Sequence, residues 1–208
     1  VYDEFMSEKP GTRQQLIEAT MAAIAYGGES SVRVSAIASA VGVKEPSVYH
    51  FFKNRDALVE AAQIERYRRS YSEMIVPFEL AAEMSETQEE FESAVRKVFS
   101  LVYSSERIEI RSIRKNVMGA AQSSEVIAKA ISEINHETAS TLARVMVFGQ
   151  ERGWVTKDLD PLALAYWGIG QINGRVMAEM NAGLVNLAEW DKVSVEAVLA
   201  VYRYKAPK

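Results

Sequence analysis

Lys44, Ser47, Tyr49, His50 and Lys53 fall within ten consecutive positions. Two ammonium groups, two hydroxyls and an imidazole in one short run can hydrogen-bond a chain of phosphates and the donor and acceptor edges between them. The charge distribution agrees with that chemistry. From Lys9 to Arg55 six bases (Lys9, Arg13, Arg33, Lys44, Lys53, Arg55) face three acids (Glu18, Glu29, Glu45), a local balance of +3 in a chain of net charge −4.

Such side chains need a rigid support. Val34 to Val41 reads as a short helix with Ile37 and Val41 on one face, and Gly42 breaks it. A third helix begins near Glu45, with Pro46 in the first turn where a missing N–H costs nothing, and runs to about Phe52. Ile37, Ala38, Val41, Val43 and Val48 hold the two helices at a fixed crossing. Ala38 is small enough for close approach, and Gly42 can take the left-handed conformation of a tight turn. This is a helix-turn-helix, whose second helix can lie in the major groove with its N-terminal residues at base edges. A preceding helix from about Thr12 to Tyr26 opens on the capping-box pattern Thr12 to Gln15 and ends at Gly27-Gly28.

The segment resembles the TetR family signature. Its marks are Ile37-Ala38, Gly42-Val43, the run Tyr49-His50-Phe51-Phe52, then Lys53, Arg55 and Leu58. The resemblance implies an all-α fold: an N-terminal three-helix helix-turn-helix DNA-binding domain (9–55) joined to a larger C-terminal helical ligand-binding and dimerisation domain (56–208). It also implies roles. Glu45, Pro46 and Ser47 start the recognition helix and face base edges: Glu45 as acceptor from cytosine N4, Pro46 against a thymine methyl, Ser47 on a base or phosphate. Tyr49 and His50 contact phosphate or bases, the alternative being that Tyr49 packs on the first helix. Lys53 anchors the backbone, as could Arg13, Ser35 and Arg55, while Phe51 and Phe52 belong to the core. Arg33 and Lys44 depart from the pattern, standing where Thr and Ser are usual. Each loses a neutral cap worth about 1 kcal/mol and places a cation where a phosphate could sit, or else a solvated charge.

The remainder also reads as helices. A fourth runs from near Asn54 to about Ile75, stopped by Pro77. A stripe of Phe91, Val95, Val98 and Val102 marks another, followed by Ile108 to Met118, Val126 to Glu151, Pro161 to about Ala182, and Ser194 to Tyr204. The helix from Pro161 is apolar on more than one face, and the last helix repeats the pattern, so both need burial on more than one side. The expected solution is a two-fold dimer through Trp167, Gly170, Gly174, Met177, Val195, Val198, Leu199 and Tyr202, the alternative being one larger monomeric core. Candidate effector contacts are Tyr103, Arg111, Arg114, Met118, Trp167, Gln171 and Asn173. Arg111 and Arg114 share a helix face and can pair a carboxylate or phosphate, or else are solvated or bridged to Glu106 or Glu109.

The expected partners are double-stranded operator DNA, a small-molecule effector and a second copy of the chain, with no cofactor and no metal. The chain has no cysteine and no Gly-rich phosphate loop, and its two histidines, His50 and His136, stand far apart, so an enzyme is not expected. No stretch approaches the roughly 20 apolar residues of a membrane span, and Val1 to Pro10 lacks a signal-peptide core, so a cytoplasmic location is expected. Met6 as natural start and Val1 to Phe5 as a tail both stay open. The working reading is a dimeric transcriptional regulator, a repressor released by its effector. A constitutive DNA-binding regulator without an effector and a helical interaction protein are the alternatives.

Overall fold

A computed structural model describes residues 11–207; Lys9, Met6 and the stretch 1–5 lie outside the described residues. Helices form every regular element among the described residues, and no strand occurs there. The chain divides into two compact units, the first ending at Arg66 and the second beginning at Tyr67. The division falls inside a helix, later than the expected boundary at 55/56. The reason is packing: Leu58, Val59 and Ala62, in the first turns of that helix, are buried in the N-terminal core.

The N-terminal unit contains α1 (Thr12–Gly27), α2 (Val34–Val41), α3 (Glu45–Val48) and the start of α4 (Arg55–Glu83). Leu16, Ile17 and Ile24 of α1 close over Val34, Ile37 and Ala38 of α2 and over Val48 and Phe52. The capping box expected at Thr12 is not formed. Thr12 is already the first helical residue, Gly11 holds the cap position without a side chain, and the Gln15 amide donates to the Gly11 carbonyl at 3.1 Å. The third helix ends at Val48, with the Phe51 and Phe52 amides still turned onto the Val48 carbonyl at 3.0 Å. Phe52 is core as expected, but Phe51 is 44 % exposed.

Pro77 does not stop α4, which continues to Glu83. A proline inside a helix forfeits one backbone bond, but here the helix beyond it buries Phe78 and Ala82 in line with Met74, a tertiary gain that outweighs the local cost. The C-terminal unit adds α5 (Gln88–Tyr103), α6 (Ile108–Ala120), α7 (Glu125–Glu151), α8 (Pro161–Glu179) and α9 (Leu187–Tyr202). Thr87 and Glu90 form a reciprocal capping box at the start of α5. Ser124, Asp160 and Asn186 cap α7, α8 and α9 through their side chains. The Asn186 cap starts α9 seven residues before the expected Ser194, because it satisfies the Ala188 and Glu189 amides. The core gathers Phe91, Val95, Phe99 and Val102 of α5, Val145 and Met146 of α7, Leu164 of α8, and Val198, Leu199 and Tyr202 of α9.

That core corrects the expected dimer face. Val198 (0 % exposed), Leu199 (1 %) and Tyr202 (7 %) are buried within their own unit and cannot meet a partner. Val195 and Trp167 are half-buried against the same core. The outward stripe of α9 is instead Val193, Ala197 and Ala200, spaced for one helix face. On α8 it is Tyr166, Gly170, Gly174 and Met177. A Cβ at Gly170 would meet nothing within 4 Å, and Met177 is 71 % exposed.

Candidate nucleic-acid interface and effector site

The α2–α3 pair is built around Gly42. It has φ +77° and ψ 27°, left-handed values that an L side chain adopts only with strain. In that conformation its amide donates to the Ser39 carbonyl at 3.1 Å and the Val43 amide to the Ala38 carbonyl at 2.9 Å, closing the end of α2 and turning the chain into α3. Ala38 (2 % exposed) and Val48 (1 %) sit at the crossing, which fixes α3 by close packing.

Packing one side of α3 inward leaves the other side outward. Lys44, Glu45, Pro46, Tyr49, His50 and Lys53 are exposed, and Ser47 is half-buried. Tyr49 is 48 % exposed, so α1 does not cover it. Among the described residues no side-chain hydrogen bond or ion pair engages Lys44, Glu45, Ser47, Tyr49, His50 or Lys53. Their donors and acceptors point to solvent. Lys44 holds the cap position of α3 in extended conformation without a side-chain cap. Ser35 is exposed in the first turn of α2, where unpaired helix amides favour an anion.

The three arginines expected at the interface behave differently. Arg55, with 38 % of its side chain exposed, turns its donors onto its own unit. Its Nε donates to the Val32 carbonyl at 3.0 Å, its Nη1 to Asp56 at 3.1 Å, and its Nη2 to the Glu29 carbonyl. It clamps the α1–α2 connection to the start of α4, which Asn54 caps by accepting from the Ala57 amide at 2.8 Å. Arg33 is exposed but turns one nitrogen back onto the Ser30 and Val32 carbonyls at 2.6 and 3.2 Å, leaving its other nitrogens outward. The Arg13 guanidinium lies 5.2 Å over the Phe52 ring.

In the C-terminal unit the expected effector residues separate. Arg111 and Arg114 face inward, each 2 % exposed. Arg111 donates through Nε to Glu179 at 2.9 Å and through both Nη atoms to the Ser104 carbonyl at 3.1 Å, with a further bond to the Val102 carbonyl. Its carboxylate partner is therefore Glu179 on α8, neither Glu106 nor Glu109. Arg175 ties the same cluster to α9, with Nη1 3.4 Å from Glu179 and Nη2 donating to Asp191 at 3.2 Å. Arg114 donates to the Ser70 hydroxyl at 3.0 Å and to the Ser70 carbonyl, and stacks 4.0 Å over Tyr71. Burial holds its pKa below the ordinary guanidinium value. Tyr103 shares a 2.7 Å hydrogen bond with Ser194, and burial pushes its phenol up to about 12. These side chains brace helices and have few donors left for a ligand.

Two clefts open beside them. One, of about 280 Å³ between α6 and α8, is lined by Arg111, Lys115, Met118, Asn173, Val176, Met177 and Met180. It brings together three of the expected residues, Arg111, Met118 and Asn173, and adds Lys115, which sequence reasoning missed. The other, of about 330 Å³ between α5 and α9, includes Tyr103 with Arg96, Asp191, Lys192 and Glu196. Trp167 and Gln171 line neither. Among the described residues no group of His, Asp and Glu is placed to hold a metal, and no helix is long and apolar enough to cross a membrane.

Residues 16–62 match the model of bacterial regulatory proteins, tetR family. The match falls within the N-terminal unit. The chain is 42 % identical over 53 residues to the HTH-type transcriptional regulator BetI of Yersinia pestis, a match covering 26 % of this chain and 27 % of BetI. The chain thus matches about a quarter of that relative's length. Solved structures share the fold over nearly the whole chain. The transcriptional regulator FadR of Bacillus subtilis, in complex with stearoyl-CoA, aligns with TM-score 0.61 at 23 % identity, covering 90 % of this chain and 98 % of FadR. A regulator from Saccharomonospora viridis in complex with choline aligns with TM-score 0.64 at 15 % identity, covering 89 % and 94 %.

Proposed function

We propose that this chain is a dimeric, sequence-specific DNA-binding transcriptional regulator of the tetR family, a repressor released from its operator by a small molecule, and not an enzyme. The observation that carries the reading is the outward side of α3. Lys44, Glu45, Ser47, Tyr49, His50 and Lys53 are held on a packed helix pair, yet their polar groups are left to solvent. A helix so displayed fits the major groove, with phosphate donors flanking base-reading groups.

Dimerisation is supported by the uncovered stripes of α8 and α9, where Tyr166, Gly170 and Met177 lie beside open space on one helix and Val193 and Ala200 are exposed on the other. Two copies joined there present two recognition helices, as a near-palindromic operator requires. Effector binding is supported by the clefts of the C-terminal unit and by two relatives of the same fold that hold small molecules. The test is fluorescence anisotropy with duplex recovered by selection. The wild type binds and an effector releases it, while a Tyr49→Ala/His50→Ala variant keeps its helicity and loses specific binding. Unchanged binding by that variant refutes the assignment of α3.

A further inference from the structure

We propose that the cleft between α6 and α8 takes an amphipathic monoanion, a carboxylate on an unbranched apolar chain, with the head group at Lys115 Nζ. The proposal rests on the effector-responsive reading above and names the chemical class of the effector.

The argument starts from charge. Two cations line the cleft and no carboxylate does. Arg111 is already neutralised by Glu179. Lys115 Nζ has a thioether as its partner, Met180 Sδ at 3.0 Å, a weak acceptor that leaves its charge uncompensated. An anion therefore gains a charge-assisted hydrogen bond, and a cation meets repulsion. The cleft between α5 and α9 shows the contrast, since its Arg96 and Lys192 face Asp191 and Glu196 and Arg96 is paired with Glu196 at 2.5 Å. It has no preference of sign.

The walls set the rest of the ligand. Met118 (41 % exposed), Met177 (71 %) and Met180 (69 %) surround Val176. Methionines are unbranched, polarizable and readily repacked, which suits a flexible chain better than a rigid ring. Asn173 is the polar group at the α8 side. A volume of about 280 Å³ lies just below the roughly 300–1,000 Å³ of ordinary ligand pockets, so the occupant is a medium-length chain at most.

The test is calorimetric titration of the full chain with decanoate, decanol and decyltrimethylammonium, each below its micelle-forming concentration. Decanoate binds, decanol binds roughly tenfold more weakly because its hydroxyl can accept from Lys115 but carries no charge to pair with the ammonium, and the cation does not bind. Lys115→Met weakens decanoate by about the same factor and leaves decanol unchanged or tighter. Met118→Glu, at a second exposed position, abolishes decanoate binding. The proposal is overturned if decanoate does not bind, if decanol or the cation binds as tightly, or if Lys115→Met has no effect. DNA anisotropy on the same protein keeps the two readings apart: intact operator binding without decanoate binding removes only the ligand class.

Discussion

Aspartate substitutions on two sides of α9 separate folding from assembly. Val198 is 0 % exposed in the core, whereas Val193 is 67 % exposed on the outward stripe. Val198→Asp forfeits about 1.5–3 kcal/mol of apolar burial. It also leaves a carboxylate without a partner in the interior, a further several kcal/mol. The sum, on the order of 5 kcal/mol or more, consumes a third or more of the roughly 5–15 kcal/mol that a domain has. Val193→Asp touches solvent and changes folding by no more than about 0.5 kcal/mol. Its carboxylate does lie on the face proposed to meet a second copy, where two-fold symmetry doubles every introduced charge. Urea denaturation followed by circular dichroism, with light scattering for mass, reads both effects. The expected results are a Val198→Asp protein that is unfolded or loses most of its midpoint, and a Val193→Asp protein of wild-type helicity that is monomeric. A stable, folded Val198→Asp monomer beside an unfolded or dimeric Val193→Asp would refute the phase assigned to α9.

Other outcomes follow from the same geometry. Glu179→Ala strips the carboxylate from Arg111, so thermal denaturation should show a loss of about 3–5 kcal/mol, against little or no change for Glu196→Ala at the exposed, solvent-screened pair with Arg96. Gly42→Ala, at φ +77°, should cost about 1–2 kcal/mol in the same assay and weaken DNA binding by disturbing the α2–α3 turn. Lys53→Ala should lower the salt slope of DNA binding by about one, while Arg55→Met lowers stability with little effect on that slope; the reverse result returns Arg55 to the interface. The Tyr103 phenol is raised from 10.0 to about 12 by burial, so the unfolded chain ionises first and its contribution to stability is present below pH 10 and lost as pH rises toward 12. Comparing Tyr103→Phe with wild type in alkaline denaturation checks the sign.

Local signals in the sequence located the α2–α3 helix pair well. The extent of α2, the turn at Gly42 and the start of α3 at Glu45 follow from a buried face, a glycine and a proline, each acting within a few residues. What depends on tertiary packing was not legible. Pro77 reads as a stop because the burial of Phe78 and Ala82 beyond it is a property of the folded unit. From Val195 to Tyr202 every position of α9 but Glu196 is apolar, so periodicity cannot set its phase, and Val198 and Leu199 appeared as interface when they are core. Arg111 and Arg114 read as effector contacts because their partners, Glu179 and Ser70, lie 68 and 44 residues away in the chain. The carbonyl acceptors of Arg55 were hidden in the same way, since they belong to another part of the N-terminal unit. Lys115 was missed because nothing in its neighbours distinguishes it from a solvated lysine; its position beside three methionines emerges only when α6 and α8 are packed.

Selection of duplex DNA from a random library by the full chain tests the central claim most directly. The account predicts enrichment of a near-palindromic sequence, its half-sites one helical turn apart (about 34–36 Å) or a multiple of it, and loss of that enrichment in the Tyr49→Ala/His50→Ala variant. Recovery of no common sequence, or of the same sequence by wild type and variant alike, would contradict it.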